Sequence, residues 1–124
     1  MSDRDDDARE ATGDIYDREL ALSRVGGNPA IADELLSLML KDLPEQRQAL
    51  LSALEVGDHE ELRRRAHRLR GSASCCGMPR LERACQSVEL AVQNQALEDV
   101  TLLSAALIEQ VDAALALADR QALD

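Results

Sequence analysis

The 124-residue sequence has almost no aromatic side chains, with one Tyr and neither Phe nor Trp. Its core must therefore consist of Leu, Ala, Val, Ile and Met, which are compatible with helices. Gly and Pro are also scarce, at six and three residues, which is too few for the many turns of a sandwich or a barrel. These shortages predict an all-α protein, and the length fits a single domain.

Positive charge is scarce as well, because 14 Lys and Arg face 24 Asp and Glu for a formal charge of -10. This balance argues against nucleic acid as a partner, since the phosphates would be repelled. The longest uncharged runs, such as Val100 to Ile108, have nine residues, and the acidic first residues lack both regions of a signal peptide. We therefore expect a soluble, cytoplasmic domain that makes no membrane contact.

The cysteines Cys75, Cys76 and Cys85 are an odd number with two of them adjacent. Such a set is a poor basis for disulfides and favours a reducing compartment. A metal site that combines them with His59 and His67 is also disfavoured, because about 12 Å of helix rise separates His67 from Cys75. We predict no metal site, with Cys76 and Cys85 packed as thiols and Cys75 exposed.

Gly, Pro and capping residues divide the chain into a tail and five helical segments. Residues 1–13 are acidic and nearly free of apolar side chains, which predicts a disordered tail or linker end before a domain at 14–124. A short helix is predicted over about 15–24. Four longer helices should follow, at about 29–56, 58–76, 79–93 and 99–122. Pro44 should kink or interrupt the first of these four near Leu43.

The spacing of apolar residues and the short connections predict how these segments pack. Each long segment carries apolar residues at steps of three and four, which gives one apolar stripe per helix. Helices joined by short connections are antiparallel neighbours. The sequence therefore predicts an antiparallel up-down four-helix bundle with a short additional N-terminal helix.

The third segment carries the residues that point to chemistry. Its apolar stripe, roughly 80° wide, consists of Leu62, Ala66, Leu69, Ala73 and Cys76. His67 lies about 140° from Leu62 around the helix and should project into solvent. No carboxylate stands four residues after His67, so the imidazole is not part of a catalytic triad. A neutral imidazole is nevertheless a competent nucleophile toward phosphorus. A glycine inside a helix, such as Gly71, lowers the stability of the helix by about 1 kcal/mol relative to Ala. A need for open space beside His67 would explain its presence.

At this point the sequence resembles a known family. The stretch from Ala66 to Ala73, Ala-His-Arg-Leu-Arg-Gly-Ser-Ala, and the following Cys-Gly-Met-Pro resemble the histidine phosphotransfer (HPt) domain. The segment from Leu22 to Pro44 is similar to the start of that family, so the resemblance covers nearly everything after the acidic tail. The sequence looks most like the C-terminal HPt domains of BarA/GacS-type hybrid sensor kinases, through Cys76 to Pro79 together with Leu81, Cys85, Val88 and Glu89.

The resemblance implies that His67 accepts a phosphoryl group from a receiver-domain aspartate and passes it to the aspartate of a response regulator. The domain would be a relay without kinase activity of its own, with receiver domains of a hybrid sensor kinase and of a response regulator as partners. It would bind no cofactor, while Mg²⁺ would be held by the receiver. The implied supporting residues, beside the phosphate or where the partner approaches, are Arg70, Gly71, Ser72 and Ser74. Family members usually have Lys where Arg70 stands.

Arginines concentrate near His67. Seven of the 14 cations lie within 21 residues, at Arg63, Arg64, Arg65, Arg68, Arg70, Arg80 and Arg83. This patch suits the carboxylate-rich active site of a receiver and predicts Arg63, Arg64 and Arg68 as partner-binding residues. The arginines could instead merely offset nearby glutamates. The alternative function for the whole domain is a helical-bundle adaptor that binds receiver or kinase domains without carrying phosphate.

Overall fold

A computed structural model describes residues 15–123, with side chains described through Asp119. This part of the chain contains helices and no strands. The helices are α1 (Arg18–Arg24), α2 (Pro29–Val56), α3 (His59–Cys75), α4 (Pro79–Gln93) and α5 (Leu97–Leu123). The four long helices pack in a ring, each against its neighbours along the chain and α5 against α2, which confirms the predicted bundle. The tail predicted at 1–13 lies outside the described residues.

The helix boundaries follow the capping residues in the sequence. The side chains of Asp17, Asn28 and Asp58 accept hydrogen bonds from backbone N–H groups in the first turns of α1, α2 and α3. Gly57 ends α2 with a φ of 70°, a left-handed conformation that glycine adopts without steric cost. The last helix begins at Leu97, slightly earlier than predicted.

α2 runs through Pro44 without interruption, so of the predicted kink or interruption near Leu43 the interruption does not occur. A proline inside a helix removes one backbone hydrogen bond and costs about 3 kcal/mol. Pro44 itself is exposed, whereas Leu40 and Leu43 before it and Leu50 after it are buried. The helix continues because a break would withdraw these leucines from the core, at a cost of roughly 1.5–3 kcal/mol for each side chain.

α1 closes one end of the bundle at the connection between α3 and α4. The backbone N–H of Asp17 donates to the carbonyl oxygen of Gly77 at 2.8 Å. A Cβ atom at Gly77 would lie 2.5 Å from the Asp17 oxygen and 2.8 Å from the Ala21 nitrogen. Since side-chain atoms do not approach backbone this closely, only glycine permits α1 to dock here.

The core is aliphatic, as the lack of aromatic residues requires. The predicted α3 stripe is buried throughout, at Leu62, Ala66, Leu69, Ala73 and Cys76. α5 is long and apolar enough, by length and composition alone, to cross a membrane, which the nine-residue uncharged runs did not indicate. Its residues Val100, Leu107 and Val111 lie in the bundle core, so packing in the bundle accounts for an apolar face of this helix.

Candidate functional site

His67 lies in the middle of α3 on the face opposite to the buried stripe. Its side chain is 62% exposed, as its angle to Leu62 predicts. The flanking residues Ala66 and Leu69 are fully buried, so they anchor the helix while the imidazole stays accessible. A partner can therefore reach the ring without any rearrangement of the bundle.

The imidazole has a carboxylate partner that comes from the neighbouring helix. Nδ1 of His67 lies 2.7 Å from Oε1 of Glu89 on α4. An ionised carboxylate can only accept a hydrogen bond, so Nδ1 carries the proton and donates a hydrogen bond to Oε1 of Glu89. This tautomer leaves the lone pair on Nε2 free. The absence of a carboxylate at i+4 holds along α3, but it did not reveal this partner, which comes from another helix.

Glu89 is itself buried and held by Arg70. The residue is only 4% exposed, and its Oε2 lies 2.5 Å from Nε of Arg70. The two atoms form an ion pair but are not aligned as a hydrogen bond. Nη2 of Arg70 also lies 3.2 Å from Nδ1 of His67. Because Nη2 and the protonated Nδ1 are both donors, this contact is not a hydrogen bond. Arg70 thus pairs with the carboxylate that holds the imidazole, and its predicted role beside the phosphate stays a prediction.

The other predicted supporting residues lie on the α2 side of α3 or farther along it. A Cβ atom at Gly71 would meet nothing within 4 Å, so internal packing does not require glycine there. Ser72 is exposed next to it, and Ser74 is half-buried. Within residues 15–119, neither serine hydroxyl hydrogen-bonds to the imidazole of His67. The roles of both serines stay predictions.

Most α3 arginines have a carboxylate partner. The pairs are Arg63 with Glu60 at 2.6 Å, Arg64 with Glu61, Arg65 with Glu61 at 3.0 Å and Arg70 with Glu89. The hydrogen bond from Arg63 holds the pKa of Glu60 below its ordinary value. Among the side chains that the structure describes, none pairs with Arg68. Local charge balance therefore accounts for four of these arginines and leaves Arg68 available to a partner.

Two hollows share Arg68, and His67 lines one of them. A basic recess of about 450 Å³ is lined by His67, Arg64, Arg65, Arg68 and Glu61. An apolar groove of about 690 Å³ runs between α2 and α3, with Arg68 at its edge. Its α2 wall includes Leu38, which follows the apolar spacing of that helix and yet is 56% exposed. The sequence predicted neither hollow.

The cysteines are arranged as predicted. Cys75 is exposed at the groove, while Cys76 and Cys85 are buried. Burial raises the pKa of Cys76 to about 11 and that of Cys85 to about 12, so both remain neutral thiols near pH 7. No group of three or more His, Cys, Asp or Glu side chains within the described residues has the arrangement of a metal site.

The sequence matches a family model and several known proteins. The model of the Hpt domain covers residues 34–121. The chain is 31% identical over 81 residues to the sensor histidine kinase GacS of Pseudomonas protegens and 33% identical over 82 residues to the sensor protein GacS of Pseudomonas syringae pv. syringae. It is 31% identical over 83 residues to the signal transduction histidine-protein kinase BarA of Escherichia coli K12. These matches cover 65%, 66% and 67% of this chain but only 9% of each relative.

Two solved structures have the same fold. The HPT domain of a sensor hybrid histidine kinase from Shewanella superposes with a TM-score of 0.79 at 25% identity, covering 86% of this chain and 92% of the other. The histidine-containing phosphotransfer protein HptB of Pseudomonas aeruginosa PAO1 superposes with a TM-score of 0.74 at 22% identity, covering 88% and 95%. The likeness in fold therefore extends over most of each chain.

Proposed function

Because the chain belongs to the Hpt domain family, we propose that it is the histidine phosphotransfer module of a bacterial two-component phosphorelay in the cytoplasm, with His67 as the phosphorylated residue. The observation that supports this role is the exposed imidazole whose Nδ1 lies 2.7 Å from Glu89. With the proton on Nδ1, the nucleophile is Nε2, which has no competing hydrogen-bond partner in the described part of the chain.

The proposed reaction exchanges one bond to phosphorus for another. Nε2 of His67 attacks the phosphorus of an aspartyl phosphate on a receiver domain, and the P–O bond breaks with its electron pair leaving on the aspartate. In the second half of the relay, the aspartate of another receiver attacks phosphorus and Nε2 recovers its electron pair. Mg²⁺ held by the receiver would neutralise charge on the phosphoryl oxygens.

We propose that both receivers dock over the apolar groove between α2 and α3. Leu38 offers apolar surface at the groove, and Gly71 adds no side chain to the α3 wall. Arg68 stands at the edge without a carboxylate partner among the described residues, where it can attract the acidic active site of a receiver. Arg63 and Arg64 are shared with glutamates of α3 and would contribute less.

The test is transfer from a phosphorylated receiver to the purified domain. We expect an acid-labile, base-stable adduct, which peptide mapping assigns to His67. The matched control is His59→Gln, which removes the other histidine of the chain and should leave labelling unchanged. Binding of the receiver without any transfer would contradict the proposal and favour the adaptor function.

A further inference from the structure

We propose that Glu89 keeps the Nδ1 proton on His67 after phosphorylation and thereby makes the phosphohistidine a fast phosphoryl donor with a short lifetime. This inference rests on the proposed function, because it takes Nε2 of His67 as the atom that carries the phosphoryl group. Glu89 is a positioning residue in this role, since it contacts the imidazole and not the phosphorus. The inference thus concerns the release of the phosphoryl group from His67 and not its acceptance.

The geometry favours a charged ring. Oε1 of Glu89 lies 2.7 Å from Nδ1, which is hydrogen-bonding distance, and the residue is nearly shielded from water. A hydrogen bond between an imidazolium and a carboxylate is about twice as strong as one between neutral groups. When Nε2 gains phosphorus, the ring becomes a phosphoimidazolium that still carries hydrogen on Nδ1. The carboxylate stabilises this cation and opposes loss of the proton to water.

The position of the proton determines how the ring leaves. During transfer the acceptor carboxylate forms a P–O bond, the N–P bond breaks and its electron pair returns to Nε2. If Nδ1 has kept its proton, the ring leaves as neutral imidazole, and the histidine regains the form in which it began. If Nδ1 has lost its proton, the ring must leave as an imidazolate anion, which is a much poorer leaving group. No proton is consumed when Glu89 holds it in place.

Charged groups near Nδ1 come from α3 and α4. Arg70 contacts both the imidazole and Glu89, and Arg63 interacts electrostatically with Glu89. Arg64, Arg65 and Arg68 line the recess beside His67 together with Glu61. These cations oppose a positive ring, but Arg70 also keeps the buried carboxylate paired. Cys85 is close to Glu89 on α4 and stays neutral, because burial raises its pKa to about 12. Glu89 is therefore the group that favours the protonated ring most directly.

Potassium phosphoramidate phosphorylates accessible histidines without a receiver, so the test does not depend on a relay partner. The lifetime of the adduct on His67 is measured for the wild type, Glu89→Gln and Glu82→Gln. In Glu89→Gln the new amide can still hydrogen-bond to Nδ1, through its oxygen when Nδ1 is protonated and through its NH2 group when it is not, so only the charge is lost. Glu82→Gln removes the same charge from α4, away from the imidazole. The adduct on the half-buried His59 is the reference within each sample.

We expect the adduct on His67 to live about ten times longer in Glu89→Gln at about pH 8, since a charged hydrogen bond is stronger than a neutral one by roughly 1.4 kcal/mol, which is a tenfold change in the protonation of Nδ1. The difference should disappear near about pH 5, where water supplies the Nδ1 proton in both proteins. Glu82→Gln and the His59 adduct should decay at wild-type rates. Glu89→Asp keeps the charge and should have a lifetime closer to that of the wild type.

Long-range ¹H–¹⁵N spectra give a readout that a merely structural role would not change. We expect Nδ1 of phosphorylated His67 to be protonated near neutral pH in the wild type and unprotonated in Glu89→Gln. An unprotonated Nδ1 in the wild-type adduct, equal lifetimes in the two proteins, or no adduct on His67 would overturn the inference. If the adduct lifetimes differ as expected but no receiver transfers a phosphoryl group to His67, the result would count against the proposed function alone.

Discussion

The two sides of α3 next to His67 differ in almost every physical respect. Toward α4, the imidazole meets Glu89, a buried carboxylate that Arg70 holds by an ion pair. Toward α2, the helix borders an apolar groove with the exposed Leu38 on the far wall and Gly71 on the near one. The first side is polar and built around a buried ion pair, whereas the second is apolar, open and, among the described residues, without a partner.

This difference separates the chemistry of the site from its recognition. A buried ion pair that contacts Nδ1 fixes the proton on the imidazole whatever molecule approaches. An open apolar groove gains free energy only when another surface covers it. Substitutions on the α4 side should therefore change the reactivity of His67, and substitutions on the α2 side should change affinity and approach.

His67→Gln removes Nε2, the proposed nucleophile, so we expect the largest effect from this substitution. Phosphate acceptance from a phosphorylated receiver should be lost. The free energy of unfolding should change by less than about 0.5 kcal/mol, because the side chain is exposed and the new amide can still donate to Glu89. Labelling and thermal melting measure the two quantities. Labelling that persists in this variant and vanishes in His59→Gln would contradict the assignment.

Leu38→Glu tests the groove alone. A carboxylate in place of exposed apolar surface should weaken receiver binding by about tenfold or more, since it removes roughly 1.5 kcal/mol of apolar burial and repels an acidic partner. Leu102→Glu is the matched control, because Leu102 is 72% exposed on α5 and does not line the groove. Calorimetric titration gives both affinities. Equal losses in the two variants would show that the groove is not the docking surface.

Local signals in the sequence predicted most of the fold. Asn28, Asp58 and Gly57 mark helix ends because capping involves only a few neighbouring residues. Pro44 does not end its helix, because its local cost is outweighed by leucines that pack against other helices. Such packing is not visible in a window of sequence.

The site was predicted only in part for the same reason. His67 and its exposure follow from the periodicity of α3, but Glu89 is 22 residues away and reaches the imidazole through helix packing. One signal was available: Glu89 follows Leu81 and Cys85 at steps of four, so a charged residue stands in the buried stripe of α4. A buried carboxylate needs a partner, and the basic helix before it was the nearest source.

Gly71→Gln should change stability and transfer in opposite directions. The added side chain meets nothing within 4 Å at its Cβ, so helix propensity should raise the free energy of unfolding by up to about 1 kcal/mol. Transfer should slow, because the side chain would stand one turn from His67 where a receiver approaches. Gly71→Ala is the control, with the same gain in stability and less slowing. Transfer as fast as in the wild type would show that the glycine has no role in access.

The smallest expected effect concerns Arg68 and Arg63, which are both basic residues on α3. Arg63 is paired with Glu60, whereas no described side chain pairs with Arg68, so Arg68→Ala should slow association with a receiver about two- to fivefold and Arg63→Ala less. Neither variant should alter folding much, because both side chains lie at the surface.

The wild-type rate should also fall as salt rises, since exposed charges are screened beyond a Debye length of about 10 Å at 0.1 M ionic strength. The difference between Arg68→Ala and the wild type should shrink under the same change. The second-order rate of phosphoryl transfer, measured at two ionic strengths for the three proteins, tests both statements. If Arg63→Ala slows transfer as much as Arg68→Ala, the ion pair with Glu60 does not withhold Arg63 from the partner. In that case the whole cluster, rather than Arg68 alone, attracts the receiver.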